Sequence, residues 1–258
     1  RREFPRVTVN LHRLRPKMNI RQVVEKYGYS IVSKDVANCV WLARRSGNGT
    51  RMARLRGELL DKDGNPSAHN CENWAFLLDA PFLVSSECCR IMKKNTAHKY
   101  DVETKEKPIV ATMADEGRRR FLTWTATGCN AFEGKRPMGK PMSFWTEQDV
   151  LRFIVDRHIP IASVYGDIVA SDGENDYNAT LIDCKLHCTG CQRTGCMFCA
   201  FGAHLEKGEN RFERMKHTHP KHYEFCIGGG EWDTDGMWKP NEKGLGYGRV
   251  LDFIGVRY

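Results

Sequence analysis

The residues of this chain best suited to chemistry are its cysteines. The sequence contains 11 of them, an odd number that cannot pair completely into intrachain disulfides. Thiols that are grouped along an intracellular chain are typical of metal binding in a reducing compartment, so we expect a cytoplasmic metal-binding protein. The grouped cysteines are two neighbours and a set of five within sixteen residues: Cys88, Cys89, Cys184, Cys188, Cys191, Cys196 and Cys199.

The set of five allows several metal sites. Cys184-x3-Cys188-x2-Cys191 has the spacing of a radical-SAM motif, which belongs after the first strand of a barrel, and Cys191-x4-Cys196-x2-Cys199 has the plant-ferredoxin spacing. Both patterns use Cys191, so both cannot hold. A zinc site built from four of the five thiols is the third possibility, because Cys-x2-Cys pairs are common zinc ligands.

The adjacent pair Cys88 and Cys89 favours an iron–sulfur cluster over zinc. Neighbouring side chains on a helix point about 100° apart, which suits two iron corners of a cluster better than one small tetrahedral ion. Lys93 follows Cys89 by one helical turn on the same face. Its ammonium is predicted to approach a cluster or an anionic ligand there; the simpler interpretation is a solvent-exposed lysine.

Positive charge is concentrated in the first quarter of the chain. Residues 1–60 contain 14 Lys or Arg and 4 Asp or Glu, a net charge of +10, whereas the whole chain carries +8. Such a surface favours phosphate groups, either of a nucleotide or of a nucleic acid. The sequence has no run of eighteen apolar residues, and residues 1–5 have no apolar core like that of a signal peptide; we expect no membrane partner.

Helix and strand signals alternate along the chain. This alternation predicts an α/β fold with an open, mainly parallel sheet flanked by helices, followed by a Cys-rich C-terminal extension. Isolated Cys39 and Cys129 are expected to be buried apolar side chains. The predicted elements are a strand at 7–11, helices at 18–27 and 33–45, a helix starting at Ser85-Ser86 that carries the adjacent cysteines, a buried strand at 108–113 that leads to three arginines at 118–120, and a helix from Thr146 to about His158.

Three motifs together resemble the phosphoadenosine phosphosulfate (PAPS) reductase family, of the PP-loop, adenine nucleotide alpha-hydrolase-like fold. They are Cys88-Cys89-x3-Lys93, the segment 141–150 with Ile159-Pro160 and Tyr165 after it, and the segment 194–199. The likeness is closest to the iron–sulfur branch found in bacterial and phage genomes, and it spans nearly the whole chain. It implies a family domain over residues 1–180 and, over residues 181–258, a Cys-rich cluster-binding segment and C-terminal extension packed on the same domain.

The resemblance also implies the site. A [4Fe–4S] cluster, with zinc as the alternative, would be held by Cys88, Cys89, Cys196 and Cys199. The segment 113–120 is similar to the family's substrate-arginine segment, with Met113 where an arginine is common. The substrate-binding residues implied in this way are Lys93, Glu116, Arg119 and Arg120; no catalytic residue is assigned.

Two departures from the family bear on the reaction. The Ser-Gly-Gly-x-Asp-Ser phosphate loop is absent from these 258 residues, so we expect either that the chain begins after it or that the loop has been lost. The family's sulfonucleotide reductases carry a nucleophilic cysteine in a C-terminal tail, whereas the last cysteine here is Cys226.

The resemblance implies an enzyme, an oxidoreductase or sulfurtransferase that acts on an adenylyl nucleotide (APS, PAPS or ATP) in sulfur metabolism. A thioredoxin-like protein or a cysteine desulfurase would supply electrons or sulfur. Three alternatives remain open: ATP-dependent sulfur insertion into nucleic acid, as in tRNA thiolation or DNA phosphorothioation; a non-catalytic, cluster-stabilised subunit that binds nucleotide or nucleic acid; and a zinc-stabilised structural domain. The basic first quarter fits a nucleic acid somewhat better than one nucleotide.

Overall fold

The structure, a computed structural model, describes residues 11–47, 49–133, 136–171, 184–191 and 194–258. The chain divides into two compact units. The first unit consists of residues 1–100 and 197–258, and the second consists of residues 101–196. The predicted boundary between residues 180 and 181 lies outside the described residues, and so does the predicted strand at 7–11 except for Leu11, which is not in a strand.

The mixed α/β class is confirmed. The described helices are α1 (Ile20–Tyr27), α2 (Lys34–Ser46), α3 (Gly49–Arg56), α4 (Glu87–Cys89), α5 (Asn95–Thr104), α6 (Arg118–Thr127), α7 (Glu147–Asp156), α8 (Arg211–Thr218), α9 (Pro220–Ile227) and α10 (Tyr247–Phe253). A π-helical turn, Arg90–Lys94, joins α4 to α5, and 3₁₀ helices lie at Glu72–Leu78, Ala114–Glu116, Ser163–Tyr165 and Ala203–Leu205. None of the described helices has the length and apolarity needed to cross a lipid bilayer.

The described strands form four two-stranded sheets. One pair is parallel, β1 with β6, in the register Ile31 to Ala200. The other three pairs are antiparallel, β2 with β3, β4 with β5, and β7 with β8. Within the described ranges the strands therefore stay in pairs. Their bounds are β1 (Ile31–Val32), β2 (Asn130–Ala131), β3 (Met138–Gly139), β4 (Ile168–Ala170), β5 (Leu186–Cys188), β6 (Ala200–Phe201), β7 (Glu231–Trp232) and β8 (Trp238–Lys239).

Side-chain caps set the beginnings of three helices that the sequence predicts. Asn19 accepts a hydrogen bond from the Gln22 amide at 2.9 Å and starts α1. Ser33 does the same for α2, through the Val36 amide at 3.1 Å. Thr146 starts α7. Each cap satisfies an N–H that the first turn of a helix leaves without an intrahelical partner, so these predictions are confirmed.

The core of the first unit is built around residues 29–32. Tyr29, Ile31 and Val32 are buried, and the Tyr29 ring packs edge-on against Tyr247 with centroids 5.0 Å apart. Gly28 allows this segment to approach its neighbour, because its φ is +89° and a Cβ there would lie 2.2 Å from the Leu83 carbonyl group. The first unit therefore holds residues 29–32 between two other parts of the chain.

Two predictions of burial in the second unit are wrong. The predicted buried strand at 108–113 makes an isolated bridge from Ile109 to Gly139, and Ile109 is 79% exposed. An apolar run of this length has no periodicity that distinguishes a buried strand from an exposed one. Cys129 is half-buried rather than buried, and the short strand β2 that follows it is exposed at Asn130, whereas Cys39 on α2 is fully buried as predicted.

Candidate metal centre

The adjacent cysteines lie where a helical segment changes its winding. Cys88 and Cys89 end α4, and the π-helical turn begins at the next residue. The buried Ser85 hydroxyl, not Ser86, accepts a hydrogen bond from the Glu87 amide at 3.3 Å. Single π-helical turns inside helices are frequent at functional sites. Both cysteines are half-buried, which leaves their thiols close to the surface of the first unit.

Backbone hydrogen bonds fix the start of this helical segment against residues 29–32. The Tyr29 amide donates to the Leu83 carbonyl at 2.8 Å, and the Ser85 amide donates to the Tyr29 carbonyl at 3.1 Å. This ladder is the parallel bridge between Tyr29 and Val84. It places Ser85, and with it the first turn of α4, at a defined position beside β1.

Cys199 reaches the same part of the first unit from a distant stretch of sequence. It directly precedes β6, and the Ala200 amide donates to the Ser30 carbonyl at 3.2 Å. The Cys199 carbonyl accepts a hydrogen bond from Nη1 of Arg211 at 2.8 Å. Residues 29–32 are thus bonded both to the chain that leads into Cys88 and to the chain that follows Cys199.

A buried phenol is hydrogen-bonded to the segment that joins both cysteine-bearing stretches. Tyr247 is 1% exposed, and its oxygen accepts a hydrogen bond from the Ser30 amide at 3.4 Å. Burial raises the pKa of Tyr247 well above its ordinary value, and Cys226, Cys199 and Cys88 raise it further by electrostatic repulsion. The phenol is therefore neutral at physiological pH.

The predicted ligand set is divided between the two units. Cys88, Cys89 and Cys199 belong to the first unit, whereas the exposed Cys196 is the last residue of the second. All eleven cysteines lie within the described ranges, and no disulfide joins any of them. Among the described residues, no three His, Cys, Asp or Glu side chains are arranged to hold a metal ion.

The chemistry of these donors fits a soft metal or a cluster. All four predicted ligands are thiols, which favour iron–sulfur clusters, zinc and copper(I) over magnesium or calcium. The further cysteines of the set, Cys184, Cys188 and Cys191, are half-buried in the second unit.

The predicted substrate residues also fall into both units. Lys93 lies exposed on the π-helical turn, four residues after Cys89. Glu116, Arg119 and Arg120 lie in the second unit, where Glu116 forms an ion pair with Arg120 and accepts a hydrogen bond from the Met113 amide at 3.0 Å. Arg119 is exposed. Cations at the start of a helix are unfavourable next to its positive end, and the Glu116 carboxylate offsets part of that cost.

Two motifs that are separate in the sequence are joined in the second unit. The Ala114 amide donates to the Ser143 carbonyl at 2.9 Å, and the Glu147 amide donates to Oδ2 of Asp115 at 3.2 Å. These bonds tie the arginine segment 113–120 to the first turn of α7. The segment that carries the arginines is therefore held in place by hydrogen bonds to Ser143 and to the first turn of α7.

Sequence reasoning missed three residues that shape the centre. Ser30 and Tyr247 join the two cysteine-bearing stretches, and Arg211 holds the Cys199 carbonyl. Nothing in their local sequence distinguishes them from other serines, tyrosines and arginines, because their roles arise from the packing of distant parts of the chain.

Comparison of the chain with protein-family models, with curated proteins and with solved structures finds no match.

Proposed function

We propose that this protein is an iron–sulfur enzyme that acts on an adenylyl sulfonucleotide, with a [4Fe–4S] cluster bound by Cys88, Cys89, Cys196 and Cys199. The observation that carries the proposal is the hydrogen bonding of residues 29–32 on two sides, to Ser85, three residues before Cys88, and to Ala200, directly after Cys199. This pairing brings two cysteine-bearing stretches that are distant in sequence to one short segment of the first unit. A shared ligand accounts for cysteines on both stretches.

The proposal includes the fold of the PAPS reductase family, an open, mainly parallel sheet flanked by helices. The parallel pair β1 and β6 supports it, since a parallel pairing requires a long crossover connection and brings the carboxyl ends of both strands to one edge.

In this proposal, the cysteines bind the cluster, and a lysine and two arginines bind the substrate. A bound cluster would supply a redox-active centre, and binding it requires the four thiols to lose their protons. Lys93 lies within one helical turn of Cys89 and would bind a phosphate or sulfate group beside the cluster. Arg119 and Arg120 would bind further phosphate oxygens, and their guanidinium groups stay charged at every physiological pH.

A pair of matched variants tests the cluster. The full chain is purified without oxygen, and its absorption near ~400 nm reports iron–sulfur charge transfer. Cys199→Ser is expected to abolish this band, whereas Cys129→Ser, a half-buried thiol of the second unit, is expected to leave it unchanged. Equal bands in both variants, or one zinc per chain with no sulfide, would contradict the proposal.

Substitution of two adjacent lysines on one helical turn tests the proposed substrate-binding site. Lys93→Gln and Lys94→Gln each remove one exposed charge from the same π-helical segment. We expect the first to weaken binding of APS or PAPS about tenfold, the loss typical of one charge-assisted hydrogen bond, and the second to change it less than twofold. Equal effects of the two variants, measured by calorimetry, would remove Lys93 from the binding site.

A further inference from the structure

A basic cavity lies in the first unit, and no cysteine is among the described residues that line it. Its volume is about 730 Å³, and it is formed by the chain before α1, the last turn of α1 and the helical segment after Cys89. No described residue that lines it is acidic. Five cations around one space repel one another, and bound anions relieve that repulsion. These cations are Arg15, Lys17, Lys26, Arg90 and Lys99.

Part of this positive charge has no ion-pair partner among the residues that the structure describes. Arg90 forms an ion pair with Glu87. By contrast, no Asp or Glu of the described residues forms an ion pair with Arg15, Lys17 or Lys26. The cavity wall therefore keeps a net positive charge, and this charge is larger than the negative charge of a single phosphate group.

Aromatic rings continue from the cavity along the surface of the same unit. The ring of Tyr27, which lines the cavity, lies 6.3 Å from the ring of Trp41 on α2. Lys26 lies 5.5 Å from the Tyr27 ring centre, and the Arg45 guanidinium lies 4.8 Å from that of Trp41. Both aromatic residues are partly exposed. Cations and rings thus alternate along this aromatic strip of Lys26, Tyr27, Trp41 and Arg45.

We propose that the basic cavity and the aromatic strip bind a single-stranded nucleic acid, with phosphates in the cavity and bases against Tyr27 and Trp41. Single-strand binders combine a basic groove that follows the backbone with aromatic rings on which successive bases stack. A mononucleotide offers one base for two rings, and a duplex hides the faces of its bases. The inference goes beyond the proposed function and does not depend on a cluster, because none of these residues is a thiol.

Fluorescence anisotropy of a labelled 20-nucleotide oligo(dT) with the full chain tests this site. The double variant Arg15→Gln/Lys17→Gln is expected to raise Kd about tenfold at 0.1 M salt. Because two phosphates are then no longer neutralised by the protein, the slope of log K against log salt is expected to fall by about 1.4. The control Lys207→Gln/Lys243→Gln removes the same charge from exposed positions outside the cavity. It is expected to change Kd less than twofold.

Two further measurements separate a strand from other occupants. Trp41→Leu, with its fold checked by circular dichroism, is expected to weaken oligo(dT) binding about tenfold because one base loses its stacking surface. Tighter binding of oligo(dT) or oligo(rU) than of a duplex supports the proposal. Whichever of the two single strands binds more tightly shows whether the site prefers DNA or RNA. Equal weakening by both double variants, equal affinity for the duplex, or full displacement by ATP at similar concentration would overturn it.

Discussion

Removal of one hydroxyl group tests how the centre is held together. Tyr247→Phe keeps the ring that packs against Tyr29 and deletes the oxygen that accepts the Ser30 amide hydrogen bond at 3.4 Å. Ser30 is buried, and its amide makes no other hydrogen bond among the described residues. The variant therefore leaves a donor in the core without an acceptor.

The expected loss of stability follows from that donor. A buried polar group without a partner costs about 1–3 kcal/mol. The bond removed here is longer than the usual 2.7–3.2 Å range, so its loss belongs at the lower end, about 1–2 kcal/mol. For a protein of this size, each kcal/mol lowers Tm by about 2–4 °C. We expect Tyr247→Phe to melt about 2–8 °C below the parent protein.

Thermal melting followed by circular dichroism measures this difference, and the chain offers a matched control. Tyr258 donates its hydroxyl hydrogen to the exposed carboxylate of Asp252 at 3.0 Å, where water can replace it. Tyr258→Phe is therefore expected to change stability by less than about 0.5 kcal/mol. If the two variants melt at the same temperature, the hydroxyl of Tyr247 does not join the two cysteine-bearing stretches in the way described.

Three further predictions concern the first unit. Gly28→Ala would place a Cβ 2.2 Å from backbone atoms at a φ of +89°, so we expect a loss of about 2–4 kcal/mol in urea unfolding; an unchanged midpoint would refute it. The hydrogen bond from Arg54 lowers the pKa of Asp35. This pairing stabilises the fold above the pKa of an unfolded Asp, ~4, and the stabilisation is lost as pH falls through the lower pKa of Asp35 in the folded protein. Asp35→Asn should therefore flatten the acid limb of stability against pH, and an unaltered limb would contradict the pairing. Burial raises the pKa of Cys226 to about 12, so iodoacetamide should label it only after unfolding. In the metal-free folded protein the exposed Cys196 of the second unit should label first, and mass spectrometry that finds Cys226 labelled before Cys196 would contradict this.

The sequence predicted best the structure that depends on near neighbours. Asn19, Ser33 and Thr146 start helices through bonds that span three residues, so the pattern of residue types is enough to find them. It failed at Ile109, where burial depends on what packs against the segment. A short apolar run carries no information about that partner.

The candidate centre was predictable only in part for the same reason. The sequence places Cys88, Cys89 and Lys93 on one helical segment, and the structure does so too, with a π-helical turn that no local signal indicated. It could not reveal that the stretches bearing Cys88 and Cys199 are both hydrogen-bonded to residues 29–32. That proximity arises from pairing between β1 and β6, which joins residues far apart in the chain.

The content of iron and acid-labile sulfide, measured on the full chain purified without oxygen, tests the central claim most directly. A bound cluster predicts about four irons and four sulfides per chain, and both should fall together in Cys199→Ser. Zinc at one equivalent with no sulfide, or a chain free of metal after reconstitution with iron and sulfide, would contradict the assignment of these cysteines to an iron–sulfur cluster.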